Sequence, residues 1–209
     1  MRVTKLGHAC VRIEQDGHVL VLDPGGLTDR DAVDGATAVL ITHEHFDHYD
    51  IESLKATDAP IFTIDAVARQ IEKADPAVRE RVTVVASGET FDAGLPVEAF
   101  GTDHAPSHPS LPCFDNTGFI VSAEKTLFHP GDALTVPPRP VDVLFLPISA
   151  PWLTLWACMD YAKAVSAPMT IPVHETLASE SGQALTANRV SAFLGDDHVY
   201  RRLASGEDL

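Results

Sequence analysis

Between residues 43 and 48 the chain reads His43-Glu44-His45-Phe46-Asp47-His48. Three imidazoles and two carboxylates within six residues can bring several donor atoms around one point with little backbone adjustment. Neutral imidazole and carboxylate suit zinc, manganese or iron, and the lack of thiolate in the run argues against a purely structural, Cys-rich zinc site. His43 and His45 are two apart and face the same way if the chain is extended. Asp47 and His48 are then expected to start the next helix and point to a neighbouring position, so that one loop serves two ions. The alternative, a solvated polar loop with incidental histidines, fits poorly with so dense a pattern.

The elements around this run must place it. Residues 38–42 form a short apolar stretch that reads as a buried strand, and the histidine-rich run follows its carboxyl end. Upstream, strands are expected at 3–6, 10–14 and 18–22, with Asp16-Gly17 as the hairpin turn. Downstream come a helix near 51–56, a strand at 61–64, a helix near 66–74 and a strand at 82–85. Further strands are expected at 97–101, 118–122, 126–129, 143–147 and 170–173, with helices near 155–166 and 179–194. Two strand-rich halves, each carrying helices, suggest an α/β sandwich with helices outside two sheets, spanning residues 1–209 as one domain with a soft boundary near residue 95. His104, Asp132 and His174 each follow one of these strands. Each carries a metal-competent atom at a strand end, and their recurrence there makes them candidates to join the first cluster.

In these residues the chain resembles the metallo-β-lactamase superfamily. The HxHxDH run, a later His104, Gly131-Asp132 and a final His174 occur in family order. The likeness extends from Lys5-Leu6-Gly7-His8-Ala9-Cys10 and Leu22-Asp23-Pro24 through His174, and is greatest to the compact metal-dependent hydrolases grouped with the ascorbate-phosphate lactonases. The resemblance implies an αββα sandwich and two divalent ions, zinc first and manganese or iron as alternatives. One ion would be held by His43, His45 and His104, the second by Asp47, His48 and His174, with Asp132 bridging. It further implies a dinuclear hydrolase whose bridging hydroxide attacks a lactone or phosphoester of a small, anionic metabolite, with Asp47 and Asp132 as the catalytic carboxylates. A nuclease or phosphodiesterase, or a non-hydrolytic diiron protein, are the alternatives within the same fold.

Several nearby residues stay open. His108 competes with His104 as the third histidine ligand, and could instead line the substrate pocket. Glu44 or His108 could protonate a leaving group. Trp152 could wall the pocket, although packing is the plainer expectation for it and for Trp156. His129 could support a ligand or be a buried structural group, His8 is expected to pack, and His18 and His198 are expected at the surface.

Charge and composition bound the partners. The 209 residues carry 15 Lys and Arg against 30 Asp and Glu, a formal net charge of −15. Such a balance opposes a nucleic-acid partner or an anionic membrane, because phosphate binding depends chiefly on Lys and Arg. Two divalent ions with two aspartates would still leave the site locally attractive to a small anion. The three cysteines form no CxxC pair, which fits a reducing, cytoplasmic setting. The opening residues lack an apolar run of signal-peptide length and no window reaches the length of a membrane span, so no membrane partner is expected; the expected partners are a small-molecule substrate and a second copy of the chain.

Overall fold

The computed structural model describes residues 1–209. In chain order the elements are β1 (Arg2–Lys5), β2 (Val11–Gln15), β3 (His18–Leu22), β4 (Ala38–Ile41), α1 (Ile51–Lys55), β5 (Ile61–Thr63), α2 (Asp65–Ala74), α3 (Pro76–Arg79) and β6 (Val82–Val84). There follow β7 (Thr90–Asp92), β8 (Pro96–Phe100), β9 (Gly118–Ser122), β10 (Thr126–His129), β11 (Val143–Pro147), α4 (Leu155–Val165), β12 (Met169–Val173), α5 (Glu180–Leu194) and β13 (Val199–Tyr200). The strands make two mixed sheets, one ordered β1 to β6 and the other β13-β12-β11-β10-β9-β8-β7. The chain passes from one sheet to the other between Val84 and Thr90, a few residues before the expected boundary near 95.

Strand alternation builds the layers. In β4, Ala38 and Leu40 enter the core between the sheets, whereas Val39 and Ile41 face outward beneath α1 and α2. In β11, Val143 and Phe145 enter that same core while Leu144 and Leu146 pack under α4. These strands are apolar at every position because both faces are covered, as expected for the parallel part of a sheet. Val39 pairs with Ile61, and Phe145 with Ile171, both in parallel register. The helices lie on the outer faces: α2 buries Val67, Ala68 and Ile71, and α4 buries Cys158, Tyr161, Ala162 and Val165. The architecture is therefore the αββα sandwich.

Local chemistry sets the ends. Asp16 and Gly17 both take positive φ, 52° and 83°, as a two-residue turn between β2 and β3 requires. Asp50, Thr154 and Ser179 cap α1, α4 and α5 by accepting from Ser53, Ala157 and Gly182 backbone N–H groups. Three elements escape the sequence pattern. β7 and β13 are three and two residues long, and α3 is one turn started by Pro76 behind its Asp75 cap; none is long enough to show a period. Asp47 and His48 also do not begin a helix. They lie in a turn closed by His48 and Tyr49 N–H groups donating to His45 O at 3.0 and 2.9 Å, and α1 starts only at Ile51. No helix is long and apolar enough to cross a membrane.

Candidate metal centre

Asp23 anchors the site. It follows β3 in the left-handed region, φ 49°, and is fully buried. Its carboxylate accepts Thr42 N–H and Thr42 Oγ1–H, each at 2.8 Å, and lies 2.7 Å from His48 Nδ1. One side chain thus ties the end of β3, the end of β4 and the histidine-rich turn. Gly25 lets the chain pass against that turn, because a Cβ there would stand 2.1 Å from the Asp47 carbonyl carbon. On the other sheet Gly131, at φ 64°, turns the chain into Asp132, whose N–H donates to Asn116 Oδ1 at 3.0 Å. His174, at φ 60°, follows β12 and donates its N–H to His8 O at 2.9 Å. Non-glycine residues held in this region mark places where the surroundings over-determine the backbone.

The donor atoms converge. His48 Nε2 is 3.1 Å from Asp132 Oδ1, while His104 Nε2 and His174 Nε2 are 3.3 and 3.2 Å from Asp132 Oδ2. His43 Nε2 and His45 Nδ1 are 3.1 Å apart, and Asp47 Oδ2 is 3.3 Å from His174 Nε2. His43, His45, His104 and Asp132 form one group whose donor atoms lie within 4.8 Å of one another, His48, Asp132 and His174 form a second, and His8, Asp47 and His174 form a third. Asp132 is common to the first two and His174 to the last two.

Hydrogen-bond partners assign the ring protons. His48 Nδ1–H donates to Asp23; His104 Nδ1–H and His174 Nδ1–H donate to the carbonyls of Ala105 and Ser149, both at 2.6 Å. Thr42 Oγ1 spends its own proton on Asp23, so at 3.0 Å it accepts from His43 Nδ1–H. In the neutral tautomer each of these four rings turns a lone pair inward at Nε2, and the outer partner fixes that orientation, as is usual for metal-ligating histidines. Nε2 of His48, His104 and His174 and Oδ1 of Asp132 are buried without a hydrogen-bond partner. Lone pairs facing a carboxylate at this range require positive charge between them. All-nitrogen and oxygen donors, with no thiolate, fit a borderline divalent ion.

The electrostatics express the same demand. Burial works against a charged His48, but the Asp132 and Asp23 carboxylates outweigh it and hold the ring well above its ordinary value. Burial likewise opposes a charged His174, but the Asp132 and Asp47 carboxylates beside its Nε2 nevertheless push it up to about 9. His43 lies well below the ordinary value, first through burial and then through the neighbouring His48. For Asp132 burial favours the neutral acid, yet His48 and the surrounding imidazoles keep the carboxyl far below the usual range. Burial raises Glu44, which is half-buried beside the cluster.

Not every expected residue joins. His104 is buried among the donors, whereas His108 is exposed on the loop, its Nδ1 beside Ser110 Oγ at 2.7 Å. Trp152 donates Nε1–H to Asp132 Oδ2 at 3.2 Å, an orienting contact on the shared carboxylate. His129 donates Nε2–H to Ala9 O at 2.9 Å and accepts Gly131 N–H at 3.2 Å, so it supports the turn before Asp132. His198 is half-buried between Thr170 Oγ1 and Ala167 O rather than free at the surface.

His8 is the residue that sequence reasoning undervalued. It is fully buried at the site, with its ring centroid 4.0 Å from that of His174. Its Nδ1 accepts Thr176 N–H at 3.2 Å, so the neutral ring carries its proton on Nε2, 3.4 Å from Asp47 Oδ2. His8 therefore faces Asp47 as a donor. Beneath it the buried Lys5 pairs with Glu175 and donates to the carbonyls of Gly7 and His8, joining the loop of His8 to that of His174. The only signal in the sequence was Gly7-His8-Ala9 itself.

The family model of the beta-lactamase superfamily domain matches residues 2–174. The chain belongs to the metallo-β-lactamase superfamily. Among relatives of this superfamily member, Rv0786c of Mycobacterium tuberculosis is 32% identical over 206 residues, covering 94% of each chain. A UPF0173 metal-dependent hydrolase of Methanosphaerula palustris is 29% identical over 193 residues, covering 83% of each. Igni18, a metallo hydrolase from the archaeon Ignicoccus hospitalis, shares the fold with a TM-score of 0.75 at 20% identity, over 100% of this chain and 97% of that one. This metallo-β-lactamase superfamily member is a metal-dependent hydrolase. Because His8 faces Asp47, His8→Leu is expected to weaken metal binding about 10- to 100-fold, the usual effect of losing such a partner. Equilibrium dialysis with zinc is the measurement, and an unchanged affinity would remove that role.

Proposed function

We propose that the chain is a dinuclear hydrolase that opens a lactone or phosphoester bond in a small, anionic molecule. The observation that carries this reading is the single Asp132 carboxylate shared by two groups of inward-facing donors. His43, His45 and His104 would hold one ion and Asp47, His48 and His174 the other, with Asp132 between them. Zinc is the first choice, and manganese and iron suit the same donors. Ions so held lower the pKa of water to about 7 and polarise a carbonyl or phosphoryl oxygen.

The protein's own groups do the rest. Asp23, Ala105 O and Ser149 O fix the rings of His48, His104 and His174 by accepting their outer protons. Trp152 and Asn116 hold Asp132 from its side chain and its backbone. Asp47, opposite His8 and His174, is placed to orient the attacking group as well as to bind. The net charge of −15 favours a small-molecule substrate over a polynucleotide, and a cytoplasmic setting suits the three free cysteines.

Elemental analysis of anaerobically purified protein tests the count, and an activity screen over lactones, phosphodiesters, phosphomonoesters and thioesters tests the reaction. Two zinc or manganese ions per chain with lactone or phosphoester turnover is the expected result. Two irons with a charge-transfer band and no hydrolysis would overturn it.

A further inference from the structure

Residues 101–117, which link β8 to β9, fold over a cavity of about 220 Å³ beside the donor cluster. His45 and His104 form its inner wall, and Pro106, Leu111, Pro112 and Phe114 much of the outer one. The covering loop is built rather than loose. His104 N–H donates to Phe114 O at 3.0 Å, Ala105 N–H to Asp132 O at 2.8 Å and Cys113 Sγ–H to His104 O at 3.2 Å. Prolines at 106, 109 and 112 restrict the span between.

The walls specify the occupant. The Phe114 ring stands edge-on to His45 with centroids 4.6 Å apart, while Leu111 and Phe114 leave 59% and 44% of their surface open. The other lining residues are an alanine, a serine and a cysteine, so no ammonium or guanidinium lines the cavity. A phosphate or carboxylate seated against the outer wall would lose hydration with no cationic side chain there to replace it. An apolar group would gain. A dry cavity of roughly 150 Å³ already accommodates benzene.

We propose that this cavity is a substrate subsite for an uncharged aliphatic or aromatic arm, of the order of a benzene ring in size. The substrate is then amphipathic: its scissile lactone or phosphoester group meets the donors around Asp132, and its apolar end lies under the loop. The choice of scissile group rests on the hydrolase reading above; the occupant of the cavity does not.

Cys113 reports occupancy directly. It lines the cavity and is exposed, whereas Cys10 and Cys158 are buried and burial pushes the Cys158 thiol up to about 12. Alkylation of Cys113 by iodoacetamide in the zinc-loaded protein is measured against hexanoate and acetate. Each buried methylene multiplies affinity about fourfold, so hexanoate should protect at roughly two-hundredfold lower concentration than acetate. Leu111→Asp, at an exposed position, should erase that difference. Equal protection by the two acids, or discrimination that survives Leu111→Asp, would overturn the subsite. Hexanoate protection without turnover of any ester in the screen would support the subsite and count against the reaction class alone.

Discussion

Asp132→Ala is expected to lose bound metal at both positions and to lower hydrolytic kcat/KM by roughly a thousandfold or more. The size follows from the several kcal/mol of charge stabilisation that metal ions supply, at about 1.4 kcal/mol per factor of ten. Asp132 is the carboxylate that faces His48, His104 and His174 together, at 3.1, 3.3 and 3.2 Å. Removing it takes one donor from each group at once. No neighbouring acid replaces it there, since Asp47 meets only His8 and His174 among these rings. The measurements are metal content by elemental analysis and kcat/KM on the best substrate of the screen. A fully metallated Asp132→Ala protein with normal turnover would end the bridging role.

Asp23→Ala should be the most damaging change to stability. Asp23 is wholly buried, and its carboxylate serves Thr42 N–H, Thr42 Oγ1–H and His48 Nδ1–H. Taking away one member of a buried charged group typically costs about 3–5 kcal/mol, because the partners stay buried without an acceptor. For a chain of this length that corresponds to a fall in Tm of roughly 6–20 °C, readable by calorimetry. His48 would also lose the partner that fixes its inner lone pair, so metal affinity should fall in parallel. Asp23→Asn keeps the shape but sets an amide N–H₂ or a weaker acceptor against His48 Nδ1, and should fall between. A Tm within 2 °C of the unchanged protein, on the order of 1 kcal/mol or less, would show that the anchor is dispensable.

These two aspartates separate what is readable in a linear chain from what is not. Asp132 stands out in sequence because Gly131-Asp132 follows an apolar strand and completes a set of His and Asp residues at strand ends. Asp23 precedes Pro24-Gly25-Gly26 and looks like a turn residue; only the parallel pairing of β3 with β4, Leu22 opposite Leu40, brings it under Thr42 and His48. His8 was undervalued for a related reason. It is 35 residues before His43 in sequence, and nothing local marks it. The β1–β2 connection reaches the donors because Lys5 is drawn under it by Glu175 and because His174 N–H bonds to His8 O.

The choice between His104 and His108 also needed three dimensions. Both lie in one proline-rich loop, and residue type cannot separate them. The bonds from His104 N–H to Phe114 O and from Ala105 N–H to Asp132 O pull the first histidine inward, while the second rides the exposed part of the loop. That same closure creates the cavity beside His45, which no spacing of residues announces.

By itself the sequence determined the αββα layering and the donor run at residues 43–48, because the succession of short apolar strands and helices and a dense ligand pattern are local properties written into consecutive residues. Tertiary structure alone decided which ring nitrogens point inward, that His8 faces Asp47, and that an apolar recess adjoins the donors. Those outcomes depend on hydrogen bonds and packing between segments far apart in the chain, where residue type sets what can bond and only the fold sets what meets.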